Sequence, residues 1–116
     1  MPNPIGKTSY NLAVSETAMA WAELVKAQLL KDPIKELEYL KSRSIIQPLL
    51  RMRMEKSVYA TRKRIATFEG LYQEFITRPN LYQPALEQLK ETLTKAEELC
   101  VEIESIINGN HNEPKS

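Results

Sequence analysis

The stretch that decides the fold is PLLRMRMEKSVYATRKRIATFEGLYQEFIT, residues 48–77. Its apolar side chains recur at alternating spacings of four and three residues, which is the heptad pattern of a helix that packs against another helix. The positions in this pattern are Met54, Val58, Thr61, Ile65, Phe68, Tyr72 and Phe75. Pro48 suits the first turn of a helix, and Pro79 disfavours helical geometry at the residue before it. The pattern therefore predicts one long helix between these two prolines.

A second heptad pattern lies near the C-terminus. Its members are Leu86, Leu89, Leu93, Ala96, Cys100, Ile103 and Ile107. Each of the two patterns covers a rise of about 32 Å along a helix, and the segment between them is short and contains Pro79 and Pro84. Two patterns of equal length with a short connection predict an antiparallel helical hairpin, with a helix over 84–108 packed on the helix over 48–77.

The N-terminal part predicts two further helices. One helical face over residues 8–31 carries Val14, Ala18, Trp21, Val25 and Leu29, with Trp21 as a large core anchor. Asp32-Pro33 indicates a new helix start, because aspartate caps helices well and proline fits the first helical position. A second helix over 33–46 then ends before Pro48. The predicted fold class is all-α, a small four-helix bundle built on the long antiparallel helical hairpin. It forms one domain over 8–108, with flexible tails at 1–7 and 109–116.

The composition is that of an ordinary soluble globular domain. The chain has 116 residues, of which 42% are hydrophobic and 27% charged. No apolar run reaches the roughly 18 residues needed to cross a bilayer. The N-terminus lacks the charged segment and following apolar segment of a secretory signal. We therefore expect a cytoplasmic protein with no membrane partner.

The sequence carries no catalytic or metal-ligating motif. Cys100 is the only cysteine and belongs to an apolar pattern, so we expect a buried, unreactive thiol. His111 is the only histidine and lies in the predicted tail, where it has no second histidine with which to bind a metal. The glutamates of the C-terminal helix lie outside its apolar pattern and are expected to face solvent. These features favour a protein that is not an enzyme and that uses no metal or cofactor.

Positive charge is concentrated in residues 41–64, which hold eight basic side chains and one acidic side chain in a chain of net charge +1. With about 100° of rotation per helical residue, Met52, Lys56, Tyr59 and Lys63 form a mixed stripe opposite the apolar pattern. This stripe needs a cover, either the first two helices or a partner. The candidate binding residues are Lys41, Arg43, Arg51, Arg53, Lys56, Tyr59, Arg62, Lys63 and Arg64.

Three interpretations of this basic block remain open. In the first, the C-terminal helix neutralises it through ion pairs, since residues 87–104 contain six glutamates and two lysines. In the second, the block binds nucleic-acid phosphates, whose oxygens fit the planar fork of arginine, and Tyr59 stacks on an unpaired base. In the third, the same face binds an acidic protein surface.

The leading hypothesis is a non-catalytic, basic-faced helical subunit that contacts nucleic-acid backbone within a larger (ribonucleo)protein assembly. In outline such a chain resembles the small, non-catalytic helical subunits of CRISPR effector complexes. That resemblance implies a basic surface presented to nucleic acid and assigns no individual residue. The alternative is a protein-only helical adaptor, chaperone or assembly factor that acts through its coiled-coil-like seams. Other protein subunits are expected partners in both cases, and the heptad patterns also allow a homo-oligomer.

Overall fold

The computed structural model describes residues 15–78 and 80–109, and within these ranges the chain forms helices and no β-strand. Helix α1 spans Ser15–Lys41, helix α2 spans Pro48–Phe75, and helix α3 spans Gln83–Ile107. The all-helical fold class is confirmed for these ranges. The predicted four-helix bundle on an antiparallel hairpin is not confirmed, because the described residues form three helices. The predicted tail at 1–7, the predicted helix start at residue 8, Val14 and His111 lie outside the described residues.

Helix α1 replaces the two N-terminal helices that were predicted to meet at Asp32-Pro33. Pro33 lies inside the helix and is almost completely buried. A proline in a helix interior removes one backbone hydrogen bond and costs about 3 kcal/mol. Buried Leu29, Leu37 and Leu40 flank it, and each such side chain contributes about 1.5–3 kcal/mol. The predicted break was wrong because apolar burial on both sides of Pro33 outweighs the local cost of the proline.

Helix α2 begins at Pro48, as predicted. Gln47 is its N-cap residue and makes no side-chain cap hydrogen bond, while Pro48 occupies a position where a helix needs no backbone N–H. The helix ends at Phe75, two residues before the predicted end. The Thr77 hydroxyl donates a hydrogen bond of 2.7 Å to the Glu74 carbonyl, which closes the turn that follows.

Helix α3 occupies the centre of the fold, where it packs against both α1 and α2. All seven members of its predicted heptad pattern are buried. Four further residues are buried beside this pattern, and they recur at intervals of seven: Ala85, Thr92, Leu99 and Ile106. Helix α3 therefore buries two adjoining stripes, whereas a single stripe was predicted.

Contacts at both ends of the helices fix their relative directions. Gln88 on α3 donates a hydrogen bond to Glu23 on α1, and Lys41 on α1 pairs with Glu102 on α3, so these two helices run parallel. Helix α2 runs antiparallel to α1, since Arg64 pairs with Asp32 while Arg53 pairs with Glu36. The three helices thus lie side by side along their lengths.

Trp21 joins α1 to the end of α2 near the α2–α3 connection. Its ring meets Phe68 edge-on with centroids 6.4 Å apart, and it meets Phe75 in the same way at 6.1 Å. Aromatic rings favour this arrangement because the positive edge of one ring meets the negative face of the other. Trp21 is half-buried between two apolar clusters, so it serves as the predicted core anchor. None of the described helices has an apolar stretch long enough to cross a bilayer.

Candidate interaction surface on helix α2

The nine predicted binding residues do not form one uniform surface. Lys41 ends α1, Arg43 lies in the connection between α1 and α2, and the other seven belong to α2. Four of the basic residues make ion pairs with acidic residues of neighbouring helices. These pairs are Lys41–Glu102 at 3.2 Å, Arg53–Glu36 at 2.9 Å, Arg62–Glu97 at 2.7 Å and Arg64–Asp32 at 3.4 Å. Part of the positive charge is therefore neutralised within the chain.

Arg62 makes the most extensive of these ion pairs, because it binds two glutamates of α3. Its Nε and one terminal nitrogen donate to the two carboxylate oxygens of Glu97, at 3.2 and 2.7 Å. Its other terminal nitrogen donates to Glu104 at 2.5 Å. Hydrogen bonds to Glu97 and Glu104 raise the pKa of the Arg62 guanidinium. Since these contacts use most of its donors, Arg62 links α2 to α3 and is poorly placed to bind a second anion.

The acidic partners come from both neighbouring helices. Glu97, Glu102 and Glu104 belong to α3, in line with the first of the three interpretations of the basic block, but Asp32 and Glu36 belong to α1. Sequence reasoning missed this contribution from α1. From the sequence, Asp32 was expected to cap a helix. In the structure α1 is continuous, so Asp32 lies inside α1 and beside α2.

Arg43, Arg51, Lys56 and Lys63 form no ion pair with another part of the chain that the structure describes. The guanidinium of Arg43 lies 5.5 Å from the centre of the Tyr39 ring, and the ammonium of Lys63 lies 5.2 Å from the centre of the Tyr59 ring. Such contacts retain the full positive charge. These four cations are the part of the predicted basic surface that remains available to a partner.

The side of α2 that faces away from α1 and α3 carries a row of exposed residues. Leu49 is 78% exposed, Met52 51% and Tyr59 65%. The described part of α1 does not cover Met52 and Tyr59, which are exposed in the part of the chain that the structure describes. The row continues with spacings of three and four to the small residues at its far end. We call this set the outer row: Leu49, Met52, Lys56, Tyr59, Lys63, Ala66 and Gly70.

Sequence reasoning found only the middle of the outer row. Leu49, Ala66 and Gly70 were missed, although the same alternation of three and four residues reaches them in both directions. Alanine and glycine have little or no apolar side chain, so the apolar pattern is hard to recognise at the C-terminal end of the outer row. Their position becomes informative only once the opposite face of α2 is known to be buried.

A second surface feature is a groove of about 610 Å³ between α2 and α3, next to their connection. Ile65, Tyr72 and Leu93 contribute to its wall, and carboxylates such as Glu69 and Glu98 lie at its edge. Its lining residues come from α2, from α3 and from Ile76 just after α2. In the described residues, no group of three or more acidic, cysteine or histidine side chains is placed to bind a metal ion.

Cys100 lies in the core of α3 and is fully buried, as predicted. Burial raises the pKa of the Cys100 thiol to about 11. A thiol with this pKa is almost entirely protonated near neutral pH, and the thiolate is the reactive form. Cys100 is therefore part of the packed core.

No family model, curated protein or solved structure matches the chain.

Proposed function

We propose that this protein is a non-enzymatic helical assembly module that binds a protein partner through the outer row of α2. The observation that carries the proposal is the exposure of Leu49, Met52 and Tyr59 in one line on a helix whose opposite face is buried. Single exposed apolar residues are common on soluble proteins, but three large ones aligned on the same side of one helix are typical of an interaction surface. The sequence left open a protein-only adaptor that acts through its coiled-coil-like seams, but those seams are mostly buried within the chain, so the proposal uses the outer row.

The composition of the outer row supports a protein partner over a nucleic acid. Met and Tyr are enriched in protein–protein interfaces, whereas nucleic-acid backbone is bound by cations and polar groups. Leu49, the most exposed of the large apolar residues, has no role in phosphate binding. Contact with another protein would remove it from water.

The outer row also carries positive charge. Lys56 and Lys63 lie within the outer row, whereas Arg43 lies in the connection between α1 and α2, against Tyr39. Four of the other cations of the block are already paired within the chain. The outer row therefore combines apolar contact area with local positive charge, and carboxylates on a partner would complement it.

Site-directed photo-cross-linking in the cells that produce the protein tests this proposal. A benzoylphenylalanine in place of Met52 is expected to give a discrete cross-linked protein product. The matched control carries the same group in place of Leu24, which is 63% exposed on α1. Equal cross-linking from both positions, or none from position 52, would contradict a protein-binding role for the outer row.

Nucleic-acid binding is the second candidate function, and Lys56 and Lys63, which share the outer row with exposed Tyr59, favour it. An aromatic ring among cations can stack on a base while the cations neutralise phosphates. Fluorescence anisotropy with single- and double-stranded DNA and RNA tests it. Affinity should fall by about tenfold or more between ~50 and ~200 mM salt if several phosphates are bound.

A charge-matched pair of variants makes this second test specific. Replacing Lys56 and Lys63 by glutamine should weaken nucleic-acid binding, while replacing Lys26 and Lys31 of α1 by glutamine should leave it unchanged. Both variants lose two positive charges, so a general effect of net charge would affect them equally. Absence of binding by the unaltered protein at low salt would exclude this function for the isolated chain.

A further inference from the structure

The groove between α2 and α3 exposes part of the core to solvent. Ile65 is the most exposed of the buried side chains of α2, at 7%, and Leu93 is the most exposed of those of α3, at 8%. Both line the groove, together with half-buried Tyr72 and with Ile76, which is 47% exposed. Its volume of about 610 Å³ lies in the range of roughly 300–1,000 Å³ that is typical of ligand sites. The groove therefore offers apolar contact area to a partner.

Helix α1 packs on another side of the α2–α3 pair. In the part of the chain that the structure describes, no residue of α1 lines the groove. Gln88 of α3 donates a hydrogen bond to Glu23 of α1. Lys90, which lines the groove, follows Gln88 by about 200° of helical rotation and so points almost the opposite way. The α2–α3 pair thus holds one helix on one side and presents an open groove on the other.

The groove has the length and shape that a short helix needs. Its wall along α2 runs from Ile65 to Ile76, a rise of about 16 Å or three helical turns. Near Ile65, Arg62 crosses from α2 to Glu97 and Glu104 of α3 and bounds the groove at that end. A groove between two helices accepts an amphipathic helix whose apolar residues recur at intervals of three and four. Three turns of such a helix bring about three apolar side chains into the groove.

Carboxylates give the groove a negative rim. Glu69 lies on the α2 wall and Glu98 on the α3 wall, and both are exposed. Neither makes an ion pair with another residue in the described ranges, whereas both carboxylate oxygens of Glu97 bind Arg62. Lys90 is the one cation among the described lining residues. A partner with lysine or arginine beside its apolar residues complements this rim, whereas phosphates and carboxylates are repelled.

From the exposed part of the core, the length of three turns and the negative rim, we infer that this groove binds a basic amphipathic helix of another protein. The groove shares no residue with the outer row, which carries lysines and suits a partner with carboxylates. The inference therefore goes beyond the proposed function, because it adds a second site with the opposite charge preference. With both sites, the chain joins an acidic surface to a basic helix.

Fluorescence anisotropy of the whole chain with a designed peptide tests this inference. The probe is a labelled helix of about four turns, with leucine at intervals of three and four and lysine at the other positions. It should bind below about 1 mM, with an affinity that falls as salt rises. A matched peptide with glutamate in place of every lysine should bind about tenfold more weakly or worse. Equal binding of the two peptides, or no binding of the lysine peptide at ~1 mM in ~50 mM salt, would overturn the inference.

Two charge-matched double variants locate the binding site. Glu69→Gln with Glu98→Gln removes two carboxylates of the rim and should weaken binding of the lysine peptide about fivefold or more. The control, Glu55→Gln with Glu87→Gln, removes one exposed carboxylate from each of the same two helices outside the groove and should leave binding unchanged. Equal losses for the two double variants would show that net charge alone attracts the peptide, and would overturn the groove as its site.

A pair of isoleucine substitutions tests the apolar contact. Ile76 is 47% exposed in the groove, and Ile45 is 68% exposed in the connection between α1 and α2. Ile76→Ser should weaken binding of the lysine peptide about threefold or more, because the peptide loses apolar contact area. Ile45→Ser removes the same side chain elsewhere and should leave binding unchanged. Equal effects of the two substitutions would contradict an apolar contact in the groove.

Nuclear magnetic resonance of the isotope-labelled whole chain identifies the bound surface directly. Addition of the lysine peptide should shift amide signals along 65–76 and 90–98 and leave those of Lys56 and Tyr59 in place. Shifts confined to the outer row would overturn the groove as the site. Cross-linking from position 52 tests the outer row and does not involve the groove. The proposed function and this inference therefore succeed or fail separately.

Discussion

Helices α2 and α3 are similar in length, with 28 and 25 residues, but they differ in how much of their circumference is covered. Helix α3 contacts α1 on one side and α2 on the other, and it buries 11 side chains. Helix α2 buries five and presents the outer row to solvent. Both helices carry a heptad pattern, but α3 contributes mainly to the core, whereas α2 also presents an exposed surface.

The two helices also differ in how many apolar positions each heptad contributes. Helix α3 supplies three positions per heptad, because Ala85, Thr92, Leu99 and Ile106 extend its main pattern. A stripe of that width can face two neighbours at once. Helix α2 supplies a narrow stripe for its own fold and a separate row on its far side. Changes on α3 should therefore affect stability, and changes on the outer row should affect association.

The largest expected effect comes from deleting a core side chain of α3. Leu89 is fully buried, so Leu89→Ala should lower the free energy of unfolding by about 2–5 kcal/mol. The matched substitution Leu49→Ala on the outer row should change the free energy of unfolding by less than about 0.5 kcal/mol. Urea denaturation followed by circular dichroism measures both. Similar losses for the two variants would show that α2 and α3 do not differ as described.

Cys100 provides a test of burial on α3 through pH. Burial raises the pKa of the Cys100 thiol in the folded state from about 9 to about 11, so deprotonation of this thiol costs more free energy in the folded protein than in the unfolded chain. As pH rises from about 9 to about 11, the unfolded chain loses the proton first, and stability falls. The unaltered protein should lose about 1–3 kcal/mol more over this interval than the Cys100→Ala variant.

The comparison with Cys100→Ala removes the contributions of lysine and tyrosine titration, which are common to both proteins. Urea denaturation at several pH values provides the two curves. If the curves run parallel between pH values of about 9 and 11, burial does not control the thiol as inferred.

The ion-pair network of Arg62 joins the two helices and should have a smaller effect. Arg62→Gln removes the shared partner of Glu97 and Glu104, whose charges then repel each other. The Arg62 side chain is 35% exposed, so solvent screening limits the expected loss to about 1–2 kcal/mol. The effect should shrink in high salt.

Arg78→Gln is the matched control for Arg62. Arg78 pairs with Glu74 one helical turn away, in an exposed contact within a single chain segment. Its removal should lower the free energy of unfolding by no more than about 0.5 kcal/mol. Thermal and urea denaturation of both variants compare the two losses, and equal losses would refute a special role for Arg62 in joining α2 to α3.

The smallest expected effect is a gain in stability on the exposed side of α2. Gly70→Ala should raise the free energy of unfolding by up to about 1 kcal/mol, because alanine has the higher helix propensity and its Cβ has open space. Differential scanning calorimetry at low protein concentration measures the change without a contribution from association. A loss of stability would mean that Gly70 faces a close neighbour within the single chain.

Several features of the fold followed from the sequence because they depend on local patterns. Pro48 predicted the start of α2, since proline is favoured in the first turn and disfavoured beyond it. The alternation of three and four residues predicted the buried faces of α2 and α3, including Met54, Ile65, Leu93 and Cys100. Prediction failed at Asp32-Pro33, where the local signal for a helix start was strong and the helix nevertheless continues.

The sequence predicted only part of the candidate site. It identifies the basic side chains but does not show which of them form ion pairs in the folded chain. Arg62 and Lys63 are adjacent in the chain, yet Arg62 binds two glutamates of α3 while Lys63 lies on the outer row. About 100° of rotation per residue separates them. The sequence predicted that carboxylates of the C-terminal helix were available, but not that Asp32 and Glu36 would approach from α1.

By itself, the sequence determined that residues in the described ranges form helices, where α2 begins, and which faces of α2 and α3 are apolar. These properties depend on contacts between neighbours along one chain segment, and periodicity reports them directly. Only the tertiary structure decided that α1 is continuous through Pro33, that α3 lies in the centre, and that the outer row stays uncovered. Those outcomes depend on free energies summed over contacts between distant segments, and such sums outweigh the local preference of any single residue.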